Sequence, residues 1–112
     1  MFTVTGASKG NKALTYPVGL ILADEVAYAG GIDGSYNTSY YLYNDQSYWT
    51  MTPDYYYGGA YVFYVYPSGW LDHDGVSHEY GVRPVINLKA DTQFKAGSLG
   101  TADSPYIVVG AE

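Results

Sequence analysis

The chain has 112 residues, is 47% apolar and 18% aromatic, and carries a formal net charge of −6 with no cysteine. That length is one ordinary folded domain, and the missing cysteine excludes disulfides, thiolate zinc sites and a cysteine nucleophile. No lysine or arginine stands between Lys12 and Arg83, while Asp24, Glu25, Asp33, Asp45, Asp54, Asp72, Asp74 and Glu79 do, so nucleic acid is excluded as a partner for want of cations and an anionic membrane surface is disfavoured.

No apolar run approaches the about 20 residues of a membrane span, so direct membrane insertion is not expected. The start "MFTVTGASKGNK" lacks the basic opening and long apolar stretch of a secretory leader. It reads as a single domain over 1–112, excised from a longer chain with Met1 added.

In chain order, "FTVT" (2–5) alternates like a short strand. "YPVGLIL" (16–22) is expected to be a buried strand or an extended entry segment. "ADEVAYAGG" (23–31) then reads as a short helix: Asp24 and Glu25 suit its first turn, Val26 and Ala29 share a face, and Gly30 or Gly31 ends it. Leu22 is a poor N-cap for it. "GIDGSYNTS" (31–39) is turn and loop chemistry that happens to contain a glycosylation sequon at Asn37.

"YYLY" (40–43) and "SYWTM" (47–51) are expected to be strands around the turn "NDQ". "DYYYGG" (54–59) is expected to be a loop, because three consecutive tyrosines cannot all point inward and two glycines follow. "AYVFYVY" (60–66) is the strongest strand, and it turns at "PSG" into "WLDHDGVSHEY" as a hairpin. "GVRPVINL" (81–88) and "SPYIVV" (104–109) complete the strands, the last suited to pairing near the N-terminus. One helix among six or seven short strands predicts a single α+β domain.

The chemistry-bearing residues are weighed next. "WLDHDGVSHE" holds His73, His78 and three carboxylates. A calcium loop counted from Asp72 needs a bidentate Glu at its twelfth position and finds Arg83. On alternating strand geometry His73 and His78 point to opposite faces, which separates them as zinc ligands. No GxSxG elbow, phosphate loop or HExxH is present. No enzyme, metal or cofactor is therefore expected. Arg83 and Trp49 are expected to be structural, Trp49 largely buried and Arg83 pinned by a carboxylate such as Asp24 or Glu25.

Six of the fifteen tyrosines fall between Tyr55 and Tyr66. In "AYVFYVY", Tyr61, Phe63 and Val65 share one face and Val62, Tyr64 and Tyr66 the other, as in a central strand covered on both sides. Tyr61 and Tyr64 are therefore assigned to the core. The loop vocabulary of Tyr, Trp, Gly, Ser, Asp and His is the mixture that antibody paratopes use for contact at low entropic cost. The candidate binding residues are Tyr55, Tyr56, Tyr57, Tyr66, Trp70, Asp72, His73, Asp74, His78 and Tyr80, expected to form one solvent-facing surface.

Three segments, "YPVGLILADEVAYAGG", "YWTMTP" and "YGVRPVINL", resemble in this order C-type-lectin-fold proteins of the formylglycine-generating-enzyme branch. Over about residues 14 to 109 the chain looks most similar to gut-bacterial and phage variable proteins of diversity-generating retroelements. The resemblance implies a C-type-lectin-like fold of short, mostly antiparallel strands with one or two short helices and paired termini, and loops that bind a ligand. It also implies randomised adenines, to which Asp54, Tyr55, Tyr56, Tyr57, Tyr66, Ser68, Asp72, His73, Asp74, Ser77, His78 and Tyr80 conform as residues with pyrimidine-ending codons; Trp70 does not. The calcium-and-sugar motifs EPN, QPD and WND are absent. The function expected is recognition of a protein or cell-surface glycan, outside the cell, on its surface or on a phage particle. The competing expectation is a structural domain that packs on its neighbours.

Overall fold

In the computed structural model, which describes residues 15–101 and 103–111, the chain is α+β. It has one short helix and mostly antiparallel strands in two small sheets. β1 (Val18–Gly19) pairs antiparallel with β5 (Val85–Ile86). β2 (Tyr48–Tyr56), β3 (Ala60–Val65) and β4 (Leu71–Gly75) form an antiparallel sheet with β3 in the middle.

Helix α1 (Ala23–Ala29) lies where its sequence puts it. Gly30, at φ +128, accepts the terminating geometry that a side chain resists, and its N–H bonds back to Val26 and Ala27. The weak N-cap Leu22 is compensated twice. Its own N–H donates to the Glu25 carboxylate at 2.9 Å, and the N–H of Ala23 donates to Thr52 Oγ1 at 2.9 Å. A strand thus supplies the cap that the preceding residue lacks.

The hairpin at "PSG" forms as expected. Tyr66 N–H donates to Trp70 O, Gly69 N–H donates to Tyr66 O, and β3 and β4 pair from Val65 with Leu71 to Tyr61 with Gly75. α1 packs on one face of this sheet, called here the helix face. The core between them is small: Ala23, Val26, Tyr40, Tyr48, Val65 and Leu71.

Several expected strands are shorter or absent. The strand over 2–5 lies outside the described residues. Residues 16–22 yield only β1, and 81–88 only β5 with a bridge from Gly81 to Tyr48. "YYLY" is a turn, closed by Tyr43 N–H onto Tyr40 O. "DYYYGG" is corrected the other way: Asp54, Tyr55 and Tyr56 belong to β2, and the turn is confined to Tyr57–Gly59. Residues 104–109 make one isolated bridge, Val108 to Phe94, in place of a strand.

Candidate functional site

The sheet sorts its side chains by register. Cross-strand partners share a face, so Trp49 with Tyr64, Tyr64 with Asp72, and Val62 with Asp74 lie together on the face away from α1. The hairpin closure puts Tyr66 and Trp70 there too. No second layer covers this face among the described residues; aromatic rings cover it instead.

These rings form a continuous band. Tyr36 stacks on Trp70 at 5.1 Å between centroids, Trp70 meets Tyr66 edge-on at 5.5 Å, and Tyr66 meets Tyr64 at 6.2 Å. Tyr64 stacks flat on Tyr80 at 4.5 Å, and Trp49 leans on Tyr80 at 4.8 Å. His78 ends the band, near-parallel to Tyr80 at 6.3 Å. Such geometries are the favourable ones for aromatic pairs. Tyr64 is the floor, only 5% exposed, whereas Tyr66 is 39% and Tyr36 73% exposed. The Trp70 indole N–H is buried with no hydrogen-bond partner among the described residues.

Acidic groups run along β4 beside the band. Tyr80 donates its hydroxyl to Asp74 Oδ2 at 2.6 Å, and Asp74 Oδ1 lies 3.0 Å from His78 Nδ1 and accepts the Gly75 N–H. The Tyr80 hydrogen bond first, then the Gly75 N–H and the two histidines, hold the Asp74 carboxyl below the usual range despite some desolvation. In return Asp74 raises the Tyr80 phenol. Asp72 accepts the His73 N–H through Oδ1 at 2.8 Å, and its Oδ2 has no partner among the described residues.

The expected single surface is therefore corrected. Tyr66, Trp70, Asp72, Asp74, His78 and Tyr80 do come together on the ring-bearing face. Tyr56 joins that face by register with Ala60, and stands 78% exposed at its far end. Tyr57 lies in the adjoining turn. Tyr55 and His73 lie on the helix face, beyond the reach of α1. There Tyr55 stacks on Tyr61 at 4.6 Å, His73 meets both rings and Phe63 edge-on, and His73 Nδ1 is 3.4 Å from Asp54. The physical reason is irregular pairing in β2: of its two register shifts, the one between Pro53 and Tyr56 inverts the alternation, since Pro53 pairs with Val62 and Tyr56 with Ala60 on the same face. Tyr61 is half-buried in this exposed stack and does not enter the core, whereas Tyr64 is buried as expected.

His73 and His78 lie on opposite faces, each beside a different carboxylate. Between the two turns at the far end of the sheet sits an open depression of about 410 Å³, lined by Tyr57, Tyr61, Asp74 and His78 among others.

Two structural assignments change in detail. Trp49 is half-buried in the ring band, not in the core. Arg83 has no carboxylate partner among the described residues. It donates to the carbonyl oxygen of Leu42, and its guanidinium sits 4.6 Å over the Tyr48 ring, where the ring's negative face holds the charge. The sequence reading missed Tyr36, Trp49 and Tyr64 as members of the band. For Tyr36 the only hint was its neighbour. Asn37 Nδ2 donates to Gly30 O and its Oδ1 accepts the Ser39 N–H, so the sequon residue is a loop clamp that holds Tyr36 against Trp70.

A family model described as a domain of unknown function, DUF6273, matches residues 20–90. That is more than half of the chain, and the chain belongs to this family. The match includes α1, β2–β4, β5 and every residue of the ring band. No curated protein and no solved structure matches the chain.

Proposed function

We propose that this DUF6273 domain is a non-enzymatic recognition module that binds a protein or a surface glycan through its ring-bearing face. One observation carries the reading: a continuous aromatic band lies on a sheet face that no helix or second sheet covers among the described residues, and its Tyr36 and Tyr66 rings open to solvent. Large rings with a polar tip are the side chains that supply most binding energy at interfaces. The proposal includes a C-type-lectin-like fold, supported by the α+β architecture and the three segment resemblances. It also includes display outside the cell, on a surface or a phage particle, as part of a longer protein. Retroelement diversification belongs to the same proposal. On this face it narrows to Tyr56, Tyr66, Asp72, Asp74, His78 and Tyr80, since Tyr55 and His73 face the other way.

The test is a comparison on glycan and peptide arrays of the wild-type domain with Tyr36→Ser and Tyr66→Ser. Binding that is lost in both variants while the melting temperature holds supports recognition by this face. Binding that survives both variants rejects it. A reverse-transcriptase gene and a near-identical template repeat beside the coding sequence would support diversification.

A second reading, a structural domain that packs on its neighbours, is favoured by exposed rings far from the band, notably Tyr28 on α1 at 93% and Tyr41 at 81%. It expects Tyr28→Ser to disturb the longer protein's assembly and the band variants to leave it intact.

A further inference from the structure

Resting on the recognition reading, we propose that the ring-bearing face takes a cationic partner: an extended protein segment with a lysine or arginine side chain over Tyr66 and against Asp72. The argument is one of charge complementarity. The whole stretch that builds this sheet, from Lys12 to Arg83, contains no lysine or arginine. Arg83 itself is spent on Leu42 and Tyr48. Within that stretch the basic groups beside the face's carboxylates are histidines alone, His78 at Asp74, and the face presents π-clouds and carboxylates to a partner.

Those two features select the same ligand charge. Aromatic faces attract ammonium and guanidinium groups within about 6 Å, guanidinium most often. Asp72 keeps one carboxylate oxygen unpartnered beside the rings, and Asp74 stays ionised through the bond from Tyr80. An anionic partner is repelled by both carboxylates. A neutral saccharide can stack on the rings, but it draws nothing from a charge held in place.

The test uses three probes against the intact domain: a peptide of alternating glycine and arginine, its glycine–glutamine counterpart, and maltohexaose. Amide shifts and tryptophan fluorescence are read during titration. The arginine peptide should bind saturably and shift residues 64–80, and the two neutral probes should not. Tyr66→Ser and Asp72→Asn should each weaken that binding by about 5- to 10-fold. The double variant Asp33→Asn with Asp91→Asn, which removes two carboxylate charges outside β4, should change it by less than about 2-fold.

Equal weakening by the double variant, or shifts spread over all acidic segments, would mean general attraction to an acidic chain and would overturn the assignment. So would the absence of saturable binding of the arginine peptide. If maltohexaose or the glutamine peptide shifts residues 64–80 instead, the cationic assignment fails and recognition by this face survives.

Discussion

Replacing Gly69 by alanine tests how the hairpin that carries Tyr66 and Trp70 is held. Gly69 sits at φ +86 inside the turn, and its neighbour Ser68 accepts the Asn37 N–H through its carbonyl at 3.1 Å. A Cβ at Gly69 would overlap the Asn37 carbonyl oxygen, lie 2.8 Å from the carbonyl carbon and 3.2 Å from the Tyr40 ring. Left-handed backbone costs a non-glycine residue about 1–2 kcal/mol, and overpacking against a backbone atom adds about 1–3 kcal/mol. The expected loss is about 2–5 kcal/mol, read by urea unfolding at an unchanged m-value. Gly58→Ala is the internal control. Its φ is +67, but nothing lies within 4 Å of the added carbon, so it should cost only the backbone share of about 1–2 kcal/mol. Equal losses in the two variants would refute the claim that the hairpin is docked on Asn37.

Asp72→Ala with Asp74→Ala should make the domain self-associate, measured by size-exclusion chromatography. Each carboxylate caps the N–H of the next residue, His73 or Gly75, on the open edge of β4, and uncapped edges pair with one another. Tyr80→Phe should raise the Asp74 pKa towards its ordinary value in an NMR titration. Because the folded value is depressed, the stability it contributes is present above about pH 4 and lost as pH falls through the folded value, and the variant should show a smaller acid loss. At the alkaline end the signs reverse. Burial pushes Tyr40 up to about 12 and raises Tyr64 as well, so their contribution is intact below about pH 10 and lost as pH rises through the folded values. Unfolding and tyrosinate absorbance should therefore rise together above pH 10.

The sequence marks the helix and the hairpin well, because each is punctuated by glycine or proline in a geometry few other residues accept. It marks the faces of β2 poorly. Strict alternation would place Tyr55 with Trp49, and the register shift between Pro53 and Tyr56 puts Tyr56 there instead. The turn at 40–43 was hidden for a different reason. "YYLY" has strand-like residues, yet the Leu42 carbonyl is taken by the Tyr48 hydroxyl and by Arg83, contacts 6 and 41 residues away. Tertiary bonds of that kind leave no trace in local pattern. Arg83 was expected to need a carboxylate because a buried charge demands a partner; a carbonyl and an aromatic face meet that demand equally well.

The concentration of tyrosine follows from what the helix cannot reach. Seven helical residues span about 10 Å, while the nine residues of β2 run to about 30 Å. α1 can therefore cover only the end of the sheet near Tyr48, Val65 and Leu71, and it leaves the opposite face bare. Leucine or valine there would present an open apolar surface. Tyrosine covers the same area with a ring and keeps a hydroxyl for water, for Asp74 or for a partner. The band thus contains two kinds of residue. Trp49, Tyr64 and Tyr80 are its floor, packed on the strands and on each other, and losing them should cost stability first. Tyr36, Tyr56, Tyr66 and His78 are its rim, open to solvent, where substitutions should change binding and leave folding alone. The lack of a second layer among the described residues makes the exposed rim and the buried floor parts of one structure, and it is why so small a core goes with so many tyrosines.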